Sequence, residues 1–279
     1  MDKRDSPLNI LAIGLGGNLG SYFSNNSIHK ASLQKVVRDE FLLSEFTISP
    51  EVGIKIPKNY CPDLIINFAN AYFPSPNSSQ VEKMKAAIVG VSESIAKTSS
   101  IYSVPVIAFS SYFQYPPLRL RPWSAYSLLK DQGIEILRNS SNNFIELTLG
   151  DNYGGKRRDK FFDVALLSNL QKTQLDANPG DSLLNLLHLS DICRGIDQII
   201  SNLSSFSGHH HFELRSQNSQ TLREIVSLID SERGIETRVS WGAIPYREKE
   251  VFEDWKCGEV LEGWQSISDL RSYIRNFTN

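Results

Sequence analysis

Near its start the chain runs Leu8-Asn-Ile-Leu-Ala-Ile13 straight into Gly14-Leu-Gly16-Gly17-Asn-Leu-Gly20. A short apolar run with no polar alternation suits a strand buried on both faces of a parallel sheet. Glycines at 14, 17 and 20 then permit a tight turn, let backbone N–H groups approach a pyrophosphate closely, and let the following helix pack against the strand. Strand, glycine turn and helix in that order predict a dinucleotide-binding unit.

The rest of the chain continues the pattern. Strands are predicted at Leu33 to Val37, Asp63 to Phe68, Val104 to Phe109 and Phe144 to Leu149. Between them, Val81, Met84, Ile88, Val91 and Ile95 recur at helical spacing, and a second helix is expected from Trp123 to Asn139. Alternating strands and helices imply right-handed βαβ units, hence an α/β doubly wound parallel sheet of Rossmann type. After Gly150 the pattern loosens: a turn at 151–155, a helix at 160–170, a strand and helix over 184–203, a strand at the three histidines, a helix at 221–231 and a terminal helix. The expected organisation is a binding domain over 1–149, to which 184–205 returns, and a smaller interleaved C-terminal substrate lobe made of 150–183 and 206–279.

At 279 residues the chain is long enough for both, and 41% hydrophobic with 22% charged residues is ordinary globular composition. Twenty-nine Lys and Arg against 31 Asp and Glu leave a net charge of −2, so no global basic field draws in nucleic acid or anionic lipid. Neither a signal-peptide core nor a span of about 20 apolar residues is seen. Three scattered cysteines, Cys61, Cys193 and Cys257, suit neither a disulfide framework nor structural zinc. The expected location is the reducing cytoplasm.

Which dinucleotide binds depends on the end of the second strand, where a carboxylate accepts from a ribose 2′-hydroxyl and an arginine accommodates a 2′-phosphate. Val37-Arg38-Asp39-Glu40 offers both; with the strand ending at Val37, Arg38 is the first residue out and favours NADP over NAD. Tyr126-Ser-Leu-Leu-Lys130 sets a phenol and an ammonium one helical turn apart on one face. A neighbouring cation stabilises a phenolate, so Lys130 is expected to lower the pKa of Tyr126. Ser110-Ser111 follows an upstream strand at its carboxyl edge, where doubly wound sheets place ligands.

Taken together, Gly14-x-x-Gly17-x-x-Gly20, Asp63-Leu-Ile-Ile-Asn-Phe-Ala-Asn70, Phe109-Ser-Ser111, Tyr126-x-x-x-Lys130, Gly150-Asp-Asn-Tyr-Gly154, His188-Leu-Ser-Asp191, Trp241-Gly-Ala-Ile-Pro-Tyr-Arg247-x-x-Glu250 and Gly263-Trp264 resemble the extended short-chain dehydrogenases/reductases that act on nucleotide sugars as epimerases, dehydratases or reductases. The resemblance implies catalysis by Tyr126, Lys130 and Ser111. It implies a cofactor held by Gly14, Gly17, Asn18, Leu19, Gly20, Arg38, Phe68, Ala69 and Asn70 together with Tyr126 and Lys130. It implies a nucleoside-diphosphate sugar facing Tyr112, Asp151, Asn152, Lys160 and Arg247, the last apt because guanidinium binds phosphate bidentately. Pairing into a homodimer would use the Val81–Lys97 helix and the helix bearing Tyr126.

The chain also departs from the family. Ala87 stands where members carry an asparagine that supports a proton relay. Tyr112-Phe113 replace the Asp-Glu pair of dehydratases, and neither can perform that acid–base work at neutral pH. The distal Trp-Gly-x-x-Pro-Tyr-Arg segment looks most like CDP-sugar synthases such as those making abequose and paratose for bacterial surface polysaccharide. The expected reaction is therefore NAD(P)-dependent reduction of a 4-keto-6-deoxy sugar. An NAD-retaining C4 epimerase and a degenerate NADP-binding sensor or scaffold are the alternatives. His209-His210-His211 lack a carboxylate cluster, so no metal is expected. His188 and Asp191 sit at a strand-to-helix junction, where Ser190 or Asp191 suits a helix cap. Trp123, Trp241, Trp255 and Trp264 are read as core residues.

Overall fold

A computed structural model describes residues 7–38, 46–49, 52–73, 76–115, 124–246, 250–254 and 256–278. Asp39, Glu40, Trp123, Arg247 and Trp255 lie outside that set. The chain divides into two compact units, 1–148 with 193–213 and 257–261, and 149–192 with 214–256 and 262–279.

Among the described residues the first unit is built on a nine-stranded sheet. Its strands are β1 (Ile10–Ile13), β2 (Leu33–Arg38), β3 (Thr47–Ser49), β4 (Gly53–Lys55), β5 (Leu64–Asn67), β6 (Val106–Ser111), β7 (Phe144–Leu149), β8 (His209–Leu214) and β9 (Glu259–Val260). They lie in the order β9-β8-β7-β6-β5-β1-β2-β3-β4. β1 pairs in parallel with β2 and β5, and β5 with β6. Ile10, Leu11, Ala12, Leu64, Ile65 and Ile66 are wholly buried, as strands without polar alternation require. The sheet is α/β and mostly parallel, as expected.

Helix α1 (Asn18–Asn26) follows the glycine turn. The helix expected around Val81 to Lys97 is α2 (Ser78–Lys85), a π-helical turn at Ala86–Gly90, and α3 (Val91–Tyr102). Asn77 starts it with a reciprocal capping box: its side chain accepts from the Gln80 N–H, and the Gln80 side chain accepts from the Asn77 N–H, each at 2.9 Å. The π turn falls at the position of Ala87 and inserts a residue into the helical phase. Helix α4 (Ala125–Ser140) packs closely there, since a Cβ on Gly133 would lie 3.0 Å from Ser92 Oγ and 3.1 Å from Ile88 Cγ2.

The second unit has its own core of Tyr153, Phe162, Leu166, Ile225, Val226, Ile229, Ile274 and Phe277. Around it lie α5 (Phe161–Gln171), the start of α6 (Leu189–Ser201), α7 (Leu222–Arg233) and α8 (Leu270–Asn276), with three short strand pairs. Two sequence expectations change. Asp151–Tyr153, read as a turn, is a short strand paired in parallel with Leu186–His188, which keeps 184–192 in this unit. The histidine strand, expected in this lobe, joins the nine-stranded sheet instead, because it lies beside β7, with β9 added on its outer side through the pairs Phe212–Glu259 and Glu213–Val260. Among the described residues no helix is long and apolar enough to cross a membrane.

Candidate active site

Backbone geometry explains the glycines of the first turn. Gly14 has φ +82°, and a Cβ there would lie 2.4 Å from the Ala69 nitrogen; one on Gly20 would lie 2.5 Å from the Gly14 carbonyl oxygen. The Gly17 N–H donates to that oxygen at 3.0 Å, and Gly17 itself is the N-cap of α1, with no side chain capping the helix. The first turn of α1 begins directly at this glycine, so its leading backbone N–H groups face back toward the turn. Such a turn, with its close backbone approach ahead of a helix N-terminus, suits a pyrophosphate. Arg38 is a correction to the sequence reading: the strand runs through it, because Arg38 pairs with Ile48 across β3, so it is the last residue of β2 rather than the first beyond it.

The glycine turn leads directly to the tyrosine. Gly14 presses on the backbone of Phe68 and Ala69. Phe68 is buried and stacks on Phe109 with centroids 5.1 Å apart, with Phe23 at 5.2 Å on it as well. The Ala69 N–H donates to Asn67 Oδ1 at 3.0 Å, which ends β5 in a side-chain turn. One residue on, Asn70 Nδ2 donates to the Tyr126 oxygen at 3.0 Å, and Tyr72 meets the Tyr126 ring edge-on at 5.0 Å. The phenol oxygen at 126 therefore lies beside the segment that the opening glycine contacts.

Tyr126 and Lys130 sit on α4, which begins where Ser124 accepts from the Ser127 N–H at 3.2 Å. Lys130 is 8% exposed, and its ammonium donates to the Phe109 carbonyl. Burial brings the Lys130 pKa down to about 8, with the negative charge of Glu146 acting the other way. The expected lowering of Tyr126 is not found. Burial pushes that phenol up to about 12, the hydrogen bond from Asn70 opposes the rise, and Tyr72 adds to it. Desolvation of the phenolate outweighs the help of neighbours, and the ammonium is turned to a carbonyl instead.

Because the Lys130 pKa in the folded chain lies below the 10.5 of a free lysine, the unfolded chain holds more protons between about pH 8 and 10.5, and stability rises with pH across that window. Below it the fold bears the whole cost of the buried ammonium. Lys130→Met removes this cost. Its stability relative to wild type is expected to be greatest near pH 7 and to shrink by roughly 2–3 kcal/mol by about pH 10. Thermal unfolding at both pH values measures it, and a difference independent of pH contradicts it.

Ser111 ends β6 and opens a single 3₁₀ turn at Tyr112–Gln114. Its hydroxyl accepts from the Phe113 N–H at 3.4 Å, while its own N–H donates to Gln114 Oε1 at 2.9 Å. Tyr112 is half-buried and stacks on Phe113 at 4.4 Å.

The remaining sugar-facing expectations lie in the second unit or outside the described residues. Asp151 Oδ2 accepts from the Asn185 N–H at 3.3 Å, Asn152 is half-buried beside it in the same strand, and Lys160 is exposed at the N-cap of α5. Arg247 is outside the described residues. The capping role considered for Asp191 is corrected: it lies inside α6, and its buried carboxylate accepts from the N–H groups of Ile267 at 3.2 Å and Ser268 at 3.1 Å, tying down a distant segment. His188 Nδ1 and Ser190 Oγ are 2.6 Å apart. His209 and His210 each put Nε2 2.9 Å from a backbone carbonyl, of Ser141 and Ser207 respectively. Among the described residues no group of three or more potential ligands could hold a metal.

One cluster escaped the sequence reading. Glu146, in the middle of β7, is 1% exposed, accepts from Tyr115 and Arg138, and lies 3.5 Å from His211 Nε2. Phe144-Ile-Glu-Leu-Thr-Leu149 reads as an apolar strand, but a glutamate inside such a run is almost never fully buried without a partner. That was the available signal.

No family model matches the sequence. Among curated proteins, the CDP-abequose synthase of Yersinia pseudotuberculosis is 23% identical over 277 residues, covering 91% of this chain and 95% of that one. Among solved structures, MoeE5 in complex with UDP-glucose and NAD superposes with a TM-score of 0.75 at 16% identity, covering 95% of this chain and 96% of that one. The dTDP-4-dehydrorhamnose reductase of Yersinia enterocolitica gives 0.72 at 18% identity, covering 96% and 97%. Over nearly its whole length, this chain shares the fold of these NAD-bound and reductase structures, a mixed α/β architecture on a mostly parallel central sheet.

Proposed function

We propose that the protein is an NAD(P)-dependent enzyme acting on a nucleotide sugar and, more narrowly, a reductase of a nucleoside-diphosphate 4-keto-6-deoxy sugar. The observation that carries this reading is the continuous contact from Gly14 through Ala69 and Asn70 to the Tyr126 oxygen, which joins a dinucleotide turn to a proton-carrying phenol. A bound nicotinamide cofactor would supply the hydride. The glycine turn, the N-terminus of α1 and the Phe68–Asn70 segment would hold it, and Lys130 would hold its ribose.

The chain's own part is proton management. With its pKa pushed up to about 12, Tyr126 is protonated at neutral pH and so carries a proton that it can give. An alkoxide developing at the sugar carbon is a stronger base than a phenolate and accepts that proton. Ser111 would donate a hydrogen bond to the same oxygen. The names of two relatives agree in kind, one a CDP-sugar synthase and the other a reductase of dTDP-4-dehydrorhamnose. Asp151, Asn152, Lys160, Tyr112 and Arg247 are proposed for the sugar and its diphosphate, and Arg38 for an NADP preference.

The test is to supply NADPH or NADH with CDP- and dTDP-4-keto-6-deoxyhexoses and follow oxidation of the cofactor. Stoichiometric oxidation with formation of the 4-hydroxy sugar is expected. Tightly retained NAD that survives desalting, with interconversion of C4 epimers and no net oxidation, would replace this reading by epimerase. Cofactor binding without turnover of any such sugar would point to a sensor.

A further inference from the structure

A carboxylate buried in the middle of a sheet costs several kcal/mol unless each oxygen is partnered, so the partners of Glu146 indicate what holds it there. Tyr115, one residue past the turn that Ser111 opens, donates its hydroxyl to Oε1. Arg138, on the helix that carries Tyr126 and Lys130, donates to Oε2 at 2.7 Å. Behind them His211 Nε2 lies 3.5 Å from Oε1 and 2.7 Å from Thr148 Oγ1, and Thr148 in turn lies 2.6 Å from Ser110 Oγ. One carboxylate thus holds both the serine turn and the tyrosine–lysine helix, and each is attached from its far end.

We propose that Glu146 is a positioning residue for the candidate active site, fixing Ser111 through Tyr115 and the Tyr126–Lys130 helix through Arg138. The inference rests on the reduction chemistry proposed above and adds to it a residue that touches neither cofactor nor sugar. Glu146 also supports the positive charge of Lys130, so the anchor and the charge partner of that ammonium are the same group.

The test combines two readouts on the full-length protein, backbone hydrogen exchange over 111–115 and steady-state oxidation of NADPH. Tyr115→Phe removes one hydrogen bond and leaves the Arg138–Glu146 pair, so it retains the fold; Glu146→Gln keeps the shape and removes the charge. In Tyr115→Phe the amides of Ser111 and Tyr115 are expected to exchange roughly tenfold faster or more, with those of β5 unchanged. Its kcat falls roughly tenfold, while KM for NADPH stays within about twofold. Glu146→Gln should lose more kcat with the same KM pattern. Wild-type exchange over 111–115 in Tyr115→Phe, or a kcat equal to wild type, overturns the proposal. If wild type itself turns over no keto sugar, the function proposed above fails, whereas faster exchange in Tyr115→Phe still supports the anchor.

Discussion

Tyr126→Phe is expected to lower turnover of the keto sugar by roughly 10²–10⁴-fold, the range that a positioned proton donor contributes. The substitution deletes one oxygen. The ring keeps its edge contact with Tyr72, and Asn70 loses an acceptor at a partly exposed position, so stability should change by about 1 kcal/mol or less. NADPH affinity should stay within a few-fold, because the glycine turn and the Phe68–Ala69 backbone are untouched. The pH dependence adds a second check. A phenol titrating at about 12 stays protonated throughout the neutral range, while Lys130 loses its proton near 8. In wild type, any alkaline fall in kcat beginning near pH 8 therefore belongs to Lys130 and not to the donor. Turnover in Tyr126→Phe within about tenfold of wild type would remove Tyr126 from the chemistry.

What was legible in the sequence follows from which forces act locally. The glycine turn was readable because its demand is steric and confined to a few consecutive residues. The parallel sheet was readable because uninterrupted apolar runs such as Leu64–Ile66 have few other places to go. The partner of Tyr126 was placed near the cofactor but not recognised as the tyrosine's own donor, since Asn70 and Tyr126 meet only through the order of β5 and β6 in the sheet. The direction of the Tyr126 pKa was misread for a related reason. The i, i+4 spacing showed a cation nearby, but not that burial would dominate or that the Phe109 carbonyl would claim the ammonium. Glu146 shows the same limit: its charge is visible, whereas its partners at 115, 138 and 211 converge only in three dimensions. The histidine strand is placed differently by the structure because its alternation fits either unit and only its place beside β7, far earlier in the chain, decides between them.

Gly14→Ala is expected to be the most damaging single methyl that can be added to the first unit. At φ +82° an L side chain is already strained, and the new carbon would stand 2.4 Å from the Ala69 nitrogen, 2.7 Å from its Cα and 2.7 Å from the Phe68 carbonyl carbon. All three are backbone atoms, so no rotamer change relieves the contact. The Phe68 N–H is meanwhile fixed to the Ile13 carbonyl at 2.8 Å, and the Ala69 N–H to Asn67. Either the turn or the end of β5 must move, at a cost of about 2–4 kcal/mol. The displacement reaches Asn70 and through it Tyr126, so NADPH affinity should fall roughly 100-fold or more and turnover with it. Gly16→Ala is the matched control: nothing lies within 4 Å of a Cβ there and its φ is ordinary, so unfolding should stay within about 0.5 kcal/mol of wild type. Thermal unfolding and NADPH fluorescence titration of the two variants side by side make the comparison. Equal stability would mean that Gly14 does not press on Ala69, and the contact joining the glycine turn to the phenol would lose its first link.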